Sequence, residues 1–258
     1  MTNIHPTAIV SPAAKLGNNV SIGAFSIVED DVTIGDNTKI GYHCIIAKRT
    51  TIGKNNKIYN SAVLGTDPQD MKYRGEPTTT IIGDNNIIRE FVTINNGTNE
   101  NEYTIVGNNN VLLSYVHIAH DNRIGNNIIV SNIVQFGGHV TVEDNVVVGG
   151  CAAVHQFCTI GKLTMIGAGA IITQDATPFS LIDRVPKFSS INRIGLTRNG
   201  FSEELRREIS NFYQLVFKSG HNNTAGIKAY LETKTGNIAP EIQYIIDFIN
   251  NSKRGVIR

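Results

Sequence analysis

The residues able to do chemistry are gathered in one tract. Four of the seven histidines, His117, His120, His139 and His155, fall there, with Asp121 beside His120 and Gln156 beside His155. Histidine is the usual general base near neutral pH, and an adjoining carboxylate such as Asp121 can fix its tautomer and stabilise the imidazolium. Gly138, without a side chain, would let a substrate approach its backbone N–H, the kind of donor that stabilises an oxyanion. Two other readings fit the same residues: zinc held by His117, His120 and His139, or histidines that only satisfy hydrogen bonds at turns. No cysteine pair or acid-histidine ligand motif accompanies them, which disfavours the metal. No Ser-His-Asp elbow, P-loop or GxGxxG signature is present, so covalent catalysis and nucleotide hydrolysis are disfavoured too.

What must position these residues is a repeat. Stepping six residues at a time from Ile4 to Ile172, 26 of 29 positions are apolar in a chain that is 41% hydrophobic, and only Asp70, Glu76 and Glu100 miss. A period of six fits neither a lone helix nor a lone strand, but it fits a parallel β-helix of hexapeptides, each apolar residue pointing into a core that stacked neighbours close. Units such as Ile34-Gly-Asp-Asn and Ile124-Gly-Asn-Asn place Gly and Asn where a corner needs positive φ. Known hexapeptide repeats make the left-handed form the expectation. Three units make one coil of eighteen residues, so residues eighteen apart stack roughly 4.8 Å apart. Gly138 then lies on His120, Gln156 on Gly138, and His139 on Asp121.

The phase is interrupted at about 65–80 and again at 97–103, both polar stretches. They should leave the scaffold as loops, where binding residues usually sit. The β-helix is expected over 1–175, with a connector and C-terminal helices over 176–258. After Asp175 the chain reads as irregular to Gly200. Ser202 followed by Glu203 and Glu204 predicts a helix start, a second helix is expected near 224–234, and Pro240 opens a third. The net charge of +1 argues against broad capture of nucleic acid or membrane, and no stretch has the roughly eighteen apolar residues of a membrane span. Met1-Thr-Asn-Ile-His-Pro enters the repeat at once, leaving no room for a signal peptide and predicting a cytoplasmic protein. Three cysteines fit reduced thiols, Cys44 and Cys158 in small inward slots.

The run His117-Ile-Ala-His-Asp121, with Gly138-His139, Val154-His-Gln-Phe157, Gln69-Asp-Met-Lys-Tyr73 and the ending Lys253-Arg-Gly-Val-Ile-Arg258, closely resembles the UDP-N-acetylglucosamine O-acyltransferases that draw on acyl carrier protein and begin lipid A synthesis. The resemblance spans the chain. It implies that His120 deprotonates the sugar 3-hydroxyl, Asp121 supports it, and Gly138 supplies the oxyanion amide. It further implies that Asp70, Lys72, His117 and His139 hold the sugar and phosphates, that His155 and Gln156 lie near the pantetheine or sugar, and that Asn192 and Arg198 contact the nucleotide. It implies a homotrimer with sites between subunits, a 3-hydroxyacyl group on the acidic acyl carrier protein as donor, and no bound cofactor or metal. A position matching Ala168, where the family usually has a second glycine, would limit acyl length.

The chain departs from the family at Arg184-Val-Pro-Lys187, at Ile194 in place of a glutamate, at Asn199 in place of an arginine, and at Asn95-Asn96 in place of His-Arg. These differences bear on sugar recognition more than on acyl transfer, because base, acid and glycine remain. A rival reading is therefore N-acylation of a UDP- or dTDP-linked amino sugar from an acyl carrier protein or coenzyme A thioester. A third is a non-catalytic trimeric scaffold.

Overall fold

The computed structural model describes residues 2–258 apart from Asn101, His221 and Thr235. The hexapeptides contribute short strands, mostly of two residues, that stack into three sheets forming the faces of a prism. Face one begins at Asn3–Ile4, face two at Ile9–Val10 and face three at Lys15–Leu16. Pairing is parallel and runs from residue i to i+18: Ile4 with Ile22, Val10 with Val28, Leu16 with Ile34. The second residue of each strand turns inward, and from Ile22 through Ile94 and Ile118 to Ile172 these side chains form one continuous core. The edges are turns with a residue in the left-handed region. Asn takes this place repeatedly, as at Asn37, Asn55 and Asn127 with φ between +56° and +59°, because its short polar side chain tolerates that conformation.

Both interruptions are whole numbers of hexapeptides, which is why the phase survives them. Lys57 pairs with Ile87 and Ile87 with Val111, thirty and twenty-four residues on instead of eighteen. Both loops leave at the same edge, between faces two and three. The first spans Thr66 to Thr79 and the second Asn95 to Tyr103, Asn101 of the predicted 97–103 loop lying outside the described residues.

The stretch after Asp175 is more regular than its sequence pattern indicated. Ser180–Ile182 extends face one against Met165–Ile166 and then pairs antiparallel with Phe188–Ile191. Ile166 pairs with Ile182, sixteen residues on, a step that the six-residue count misses. Among the described residues four helices follow: α1 (Arg193–Arg198), α2 (Glu203–Lys218), α3 (Asn223–Glu232) and α4 (Pro240–Asn251). Ser202 caps α2, its side chain accepting from the Leu205 N–H at 3.2 Å, and Pro240 sits in the first turn of α4. Ile209, Phe212 and Val216 of α2 and Ile242, Ile245 and Ile249 of α4 close over Leu163, Phe179 and Phe188, so the helices share a second core with the last coil. Cys44 and Cys158 are buried, and Cys151 is exposed. Among the described residues, no helix is long and apolar enough to cross a membrane.

Candidate active site

The edge between faces two and three carries, coil after coil, the two loops, then His120-Asp121, then Gly138-His139, then Gln156-Phe157. Stacking at that edge is direct: the His139 N–H donates to the His120 carbonyl and the Phe157 N–H to the Gly138 carbonyl, both at 3.0 Å. Asp70, Lys72 and Tyr73 of the first loop and Thr98 and Asn99 of the second close a cleft of about 340 Å³ against His120, His139, Gln156 and Phe157. The first loop is shaped by Asp70 itself, whose carboxylate accepts from the Lys72 N–H at 2.8 Å. This turn leaves the other Asp70 oxygen 3.9 Å from His120 Nε2.

At the floor, buried His120 and Asp121 form a pair, His120 Nδ1 lying 2.8 Å from Asp121 Oδ2. Asp121 has φ +59°, and its carboxylate is crowded with donors. Thr98 supplies its N–H to Oδ1 at 3.1 Å and its hydroxyl to Oδ2 at 2.8 Å, and His139 Nε2 stands 3.5 Å from Oδ2. Burial by itself would raise the Asp121 carboxyl, but the hydrogen bonds from His120 and Thr98 and the charge of His139 outweigh it and hold it below the usual carboxylate value. His139 is sandwiched, its ring edge-on to His120 and stacked on Phe157 at 4.7 Å.

Gly138 is where a side chain cannot be. A Cβ there would fall onto the His120 ring, 2.6 Å from Nε2. At comparable edge positions a side chain of the next coil takes the N–H: Asn126 takes that of Asn108, Asp144 that of Asn126, Asp84 that of Lys54. Among the described residues no such acceptor meets the Gly138 N–H, and the buried glycine lies directly against the imidazole.

The remaining predicted residues are dispersed. His117 projects from face two, bonded through Nδ1 to the Thr93 hydroxyl at 2.7 Å, and its own burial, then the nearby His120, lower its pKa. It is not the third member of a metal set, as the zinc reading supposed. Among the described residues the group of suitable spacing is His120, Asp121 and His139, with ligand atoms within 4.8 Å, and there the Asp121 oxygens are already engaged by Thr98 and His120. His155 is exposed and precedes Gln156, which lines the cleft. Asn192 is spent on structure in the single chain: its side chain accepts from the Gly195 N–H at 3.0 Å and donates to the Leu163 carbonyl at 2.9 Å, capping α1. Arg198 is exposed at the other end of that helix. Ala168 is exposed on a different edge, between faces one and two.

Thr98, Asn99 and Phe157 were not singled out from sequence. Phe157 was within reach, being eighteen residues beyond His139, whereas Thr98 sits in an insertion with no address in the repeat. The departures Asn95 and Asn96 are buried pins. Asn95 donates to the Thr66 hydroxyl and the Asp67 carbonyl at 3.2 and 3.1 Å, and Asn96 accepts from Thr80 at 2.6 Å, tying the roots of both loops together.

Comparison with known proteins agrees with this architecture. Residues 175–257 match the family described as UDP-N-acetylglucosamine O-acyltransferase, domain 2, and residues 13–48 and 31–66 match the bacterial transferase hexapeptide repeats. The acyl-(acyl-carrier-protein)–UDP-N-acetylglucosamine O-acyltransferase of Alkalilimnicola ehrlichii is 45% identical over the full length of both chains. The solved UDP-N-acetylglucosamine acyltransferase of Bacteroides fragilis is 42% identical with a TM-score of 0.94, covering 98% of this chain and 99% of its own. That of Acinetobacter baumannii is 37% identical at a TM-score of 0.92, covering 99% of each. The repeats, the parallel ladders and these likenesses fit a left-handed β-helix with C-terminal helices. The chain belongs to the family of UDP-N-acetylglucosamine O-acyltransferases.

Proposed function

We propose that this chain transfers a 3-hydroxyacyl group from the thioester of acyl carrier protein to the 3-hydroxyl of UDP-N-acetylglucosamine, the first step of lipid A synthesis, in the cytoplasm. The observation that carries the reading beyond family membership is the buried His120–Asp121 pair, with the backbone of Gly138 directly against the imidazole.

With its Nδ1 proton held on Asp121, His120 presents an Nε2 lone pair to the cleft. It takes the proton of the sugar hydroxyl as that oxygen attacks the thioester carbonyl carbon. The carbonyl oxygen becomes an anion that the Gly138 N–H stabilises. Collapse breaks the carbon–sulfur bond, and the imidazolium returns its proton to the departing pantetheine thiolate. Asp70, Lys72, His117 and His139 hold the sugar and phosphates, His155 and Gln156 the pantetheine or sugar. Asn192 and Arg198 contact the nucleotide and Ala168 limits the acyl chain from outside the cleft of their own chain, so these three act from a neighbouring copy.

The prism's surface supports a homotrimer. Faces one and two turn Ile87, Val111 and Ile129, and Ile27, Ile45 and Ile171, outward, and their shared edge exposes Phe25, Phe91, Tyr115 and Ile133. Face three, Ile81 and Ile105 apart, presents Thr33, Thr51, Arg123, Thr141 and Thr159. Burying the apolar faces against copies of the same chain removes that surface from water and brings one chain's first edge to another's cleft. Residues 1–175 are the scaffold of this assembly and 176–258 its connector and helices.

Mass spectrometry of products from a panel of nucleotide sugars, each offered with acyl carrier protein and coenzyme A thioesters, tests the proposal. An O-acylated UDP-N-acetylglucosamine formed only with the carrier protein is expected. An N-acylated amino sugar, or no product with any pair, would overturn it.

A further inference from the structure

The C-terminal tail ends on the last coil of the β-helix. Ser252 donates to Asp175 Oδ2 at 2.6 Å, the Asp175 N–H to the Gly255 carbonyl at 2.9 Å, and the Ile257 N–H to the Asp175 carbonyl at 2.9 Å. The Ile257 side chain enters the main core at 3% exposure, closing the end of the prism. These bonds fix the course of the backbone on either side of Arg254. Its side chain then reaches His155, the neighbour of cleft-lining Gln156: one terminal amino group, Nη2, donates to the Thr173 carbonyl at 3.0 Å and stands 3.1 Å from His155 Nδ1.

A guanidinium has donors and no acceptor, so the nitrogen it faces must be the one carrying the lone pair. The contact therefore places the His155 ring proton on Nε2. A competing arrangement exists at the same atom, because the Gln156 carbonyl lies 3.2 Å from Nδ1 and would take a proton from it in the other tautomer. The two hydrogen bonds cannot coexist on a neutral ring. Which one forms decides whether the exposed end of His155 donates or accepts.

We propose that Arg254 is a positioning residue: from the C-terminal tail it holds His155 in the Nε2–H tautomer, so that the rim of the cleft presents a donor to an acceptor oxygen of a bound substrate. This rests on the proposed acyl transfer only for the identity of that oxygen, an amide or thioester carbonyl of the pantetheine arm or a phosphate of the nucleotide sugar. The tautomer itself is independent of activity.

Long-range nitrogen–proton NMR of the full-length enzyme labelled at histidine, with the His155 signals assigned from a His155→Gln variant, reads the tautomer directly. The Nε2–H pattern is expected in the wild type, a mixture or the opposite tautomer in Arg254→Ala, and recovery in Arg254→Lys, which keeps a donor. Ser252→Ala, which loosens the same tail without touching His155, should lower the melting temperature and leave the tautomer as it was. In steady-state assays Arg254→Ala should raise KM for one substrate about tenfold, the worth of one hydrogen bond, with kcat nearly unchanged. The substrate whose KM moves tells the pantetheine arm from the nucleotide sugar. In a His155→Ala background the same change should have no effect. An Nδ1–H tautomer in the wild type, an unchanged tautomer in Arg254→Ala, or an undiminished Arg254 effect without His155 would overturn the proposal. Absence of any acyl transfer by the wild type would overturn the functional reading and leave the tautomer measurement standing.

Discussion

His120 and Asp121 are chain neighbours whose side chains meet, Nδ1 to Oδ2, at 2.8 Å. Successive side chains of an extended strand point to opposite sides, and here the left-handed backbone of Asp121, φ +59°, folds its carboxylate back onto the preceding residue. If His120 is the base, His120→Ala should lower kcat by at least about a hundredfold while the β-helix melts near the wild-type temperature. A loss smaller than tenfold, measured as O-acylated product per enzyme, would remove His120 from that role. The comparison is sharper with an amino sugar as acceptor, since an amine needs less help from a base.

The same carboxylate predicts how stability responds to acid. Folding holds the Asp121 carboxyl below its ordinary value, so its contribution is present above the ordinary carboxylate value and is lost as the pH falls through the lower, folded one. Thr98→Val removes the hydroxyl donor but keeps the N–H. It should raise the folded pKa, so that the acid-dependent contribution is smaller and its loss is complete at a higher pH, and cost about 1 kcal/mol near neutrality. Melting temperatures between pH 3 and 7 check this. Identical pH profiles for the variant and the wild type would show that the Thr98 hydroxyl does not bear on Asp121.

The parts of the site that could be read from sequence are those with an address in the repeat. His120, Gly138 and Gln156 differ by multiples of eighteen, and once the period is known their stacking is arithmetic; the same holds for Asp121, His139 and Phe157. What lies outside the count was hidden. Thr98 reaches Asp121 from an insertion whose path depends on its own turns and on the Asn95 and Asn96 pins. Ser180–Ile182 joins face one at a sixteen-residue step. The second bond of Asn192, to the Leu163 carbonyl twenty-nine residues earlier, is a contact that no local pattern contains.

Gly138 offers a test in which stability and activity should separate. Alanine there suits the backbone, which does not use positive φ, but its methyl would overlap the His120 ring. The ring must move away from Asp121 and from the Gly138 N–H, so kcat should fall by about a hundredfold or more at a stability cost of about 1–3 kcal/mol for overpacking. Truncating the clashing ring in Gly138→Ala/His120→Ala should recover most of that stability and none of the activity. Gly236→Ala, whose methyl would meet nothing within 4 Å on a backbone that does not use positive φ, serves as the tolerated control.

The last prediction concerns Ala168. In the single chain its methyl is exposed, on the edge between faces one and two, while His120 stands on the edge between faces two and three. It therefore cannot touch an acyl chain bound at His120 of its own chain, and any effect on acyl length must come through a neighbour whose cleft that edge completes. A methyl that closes such a pocket excludes about one methylene, worth roughly 1 to 3 kcal/mol of discrimination. Ala168→Gly should thus raise kcat/KM for a donor one or two carbons longer at least about fivefold relative to the preferred donor, and Ala168→Leu should shift preference toward shorter donors. Sedimentation equilibrium on the same samples links the two claims, because the shift requires a trimer. A trimeric enzyme in which neither substitution changes donor preference would show that the acyl chain ends elsewhere, and a monomer fully active at nanomolar concentration would refute the shared cleft itself.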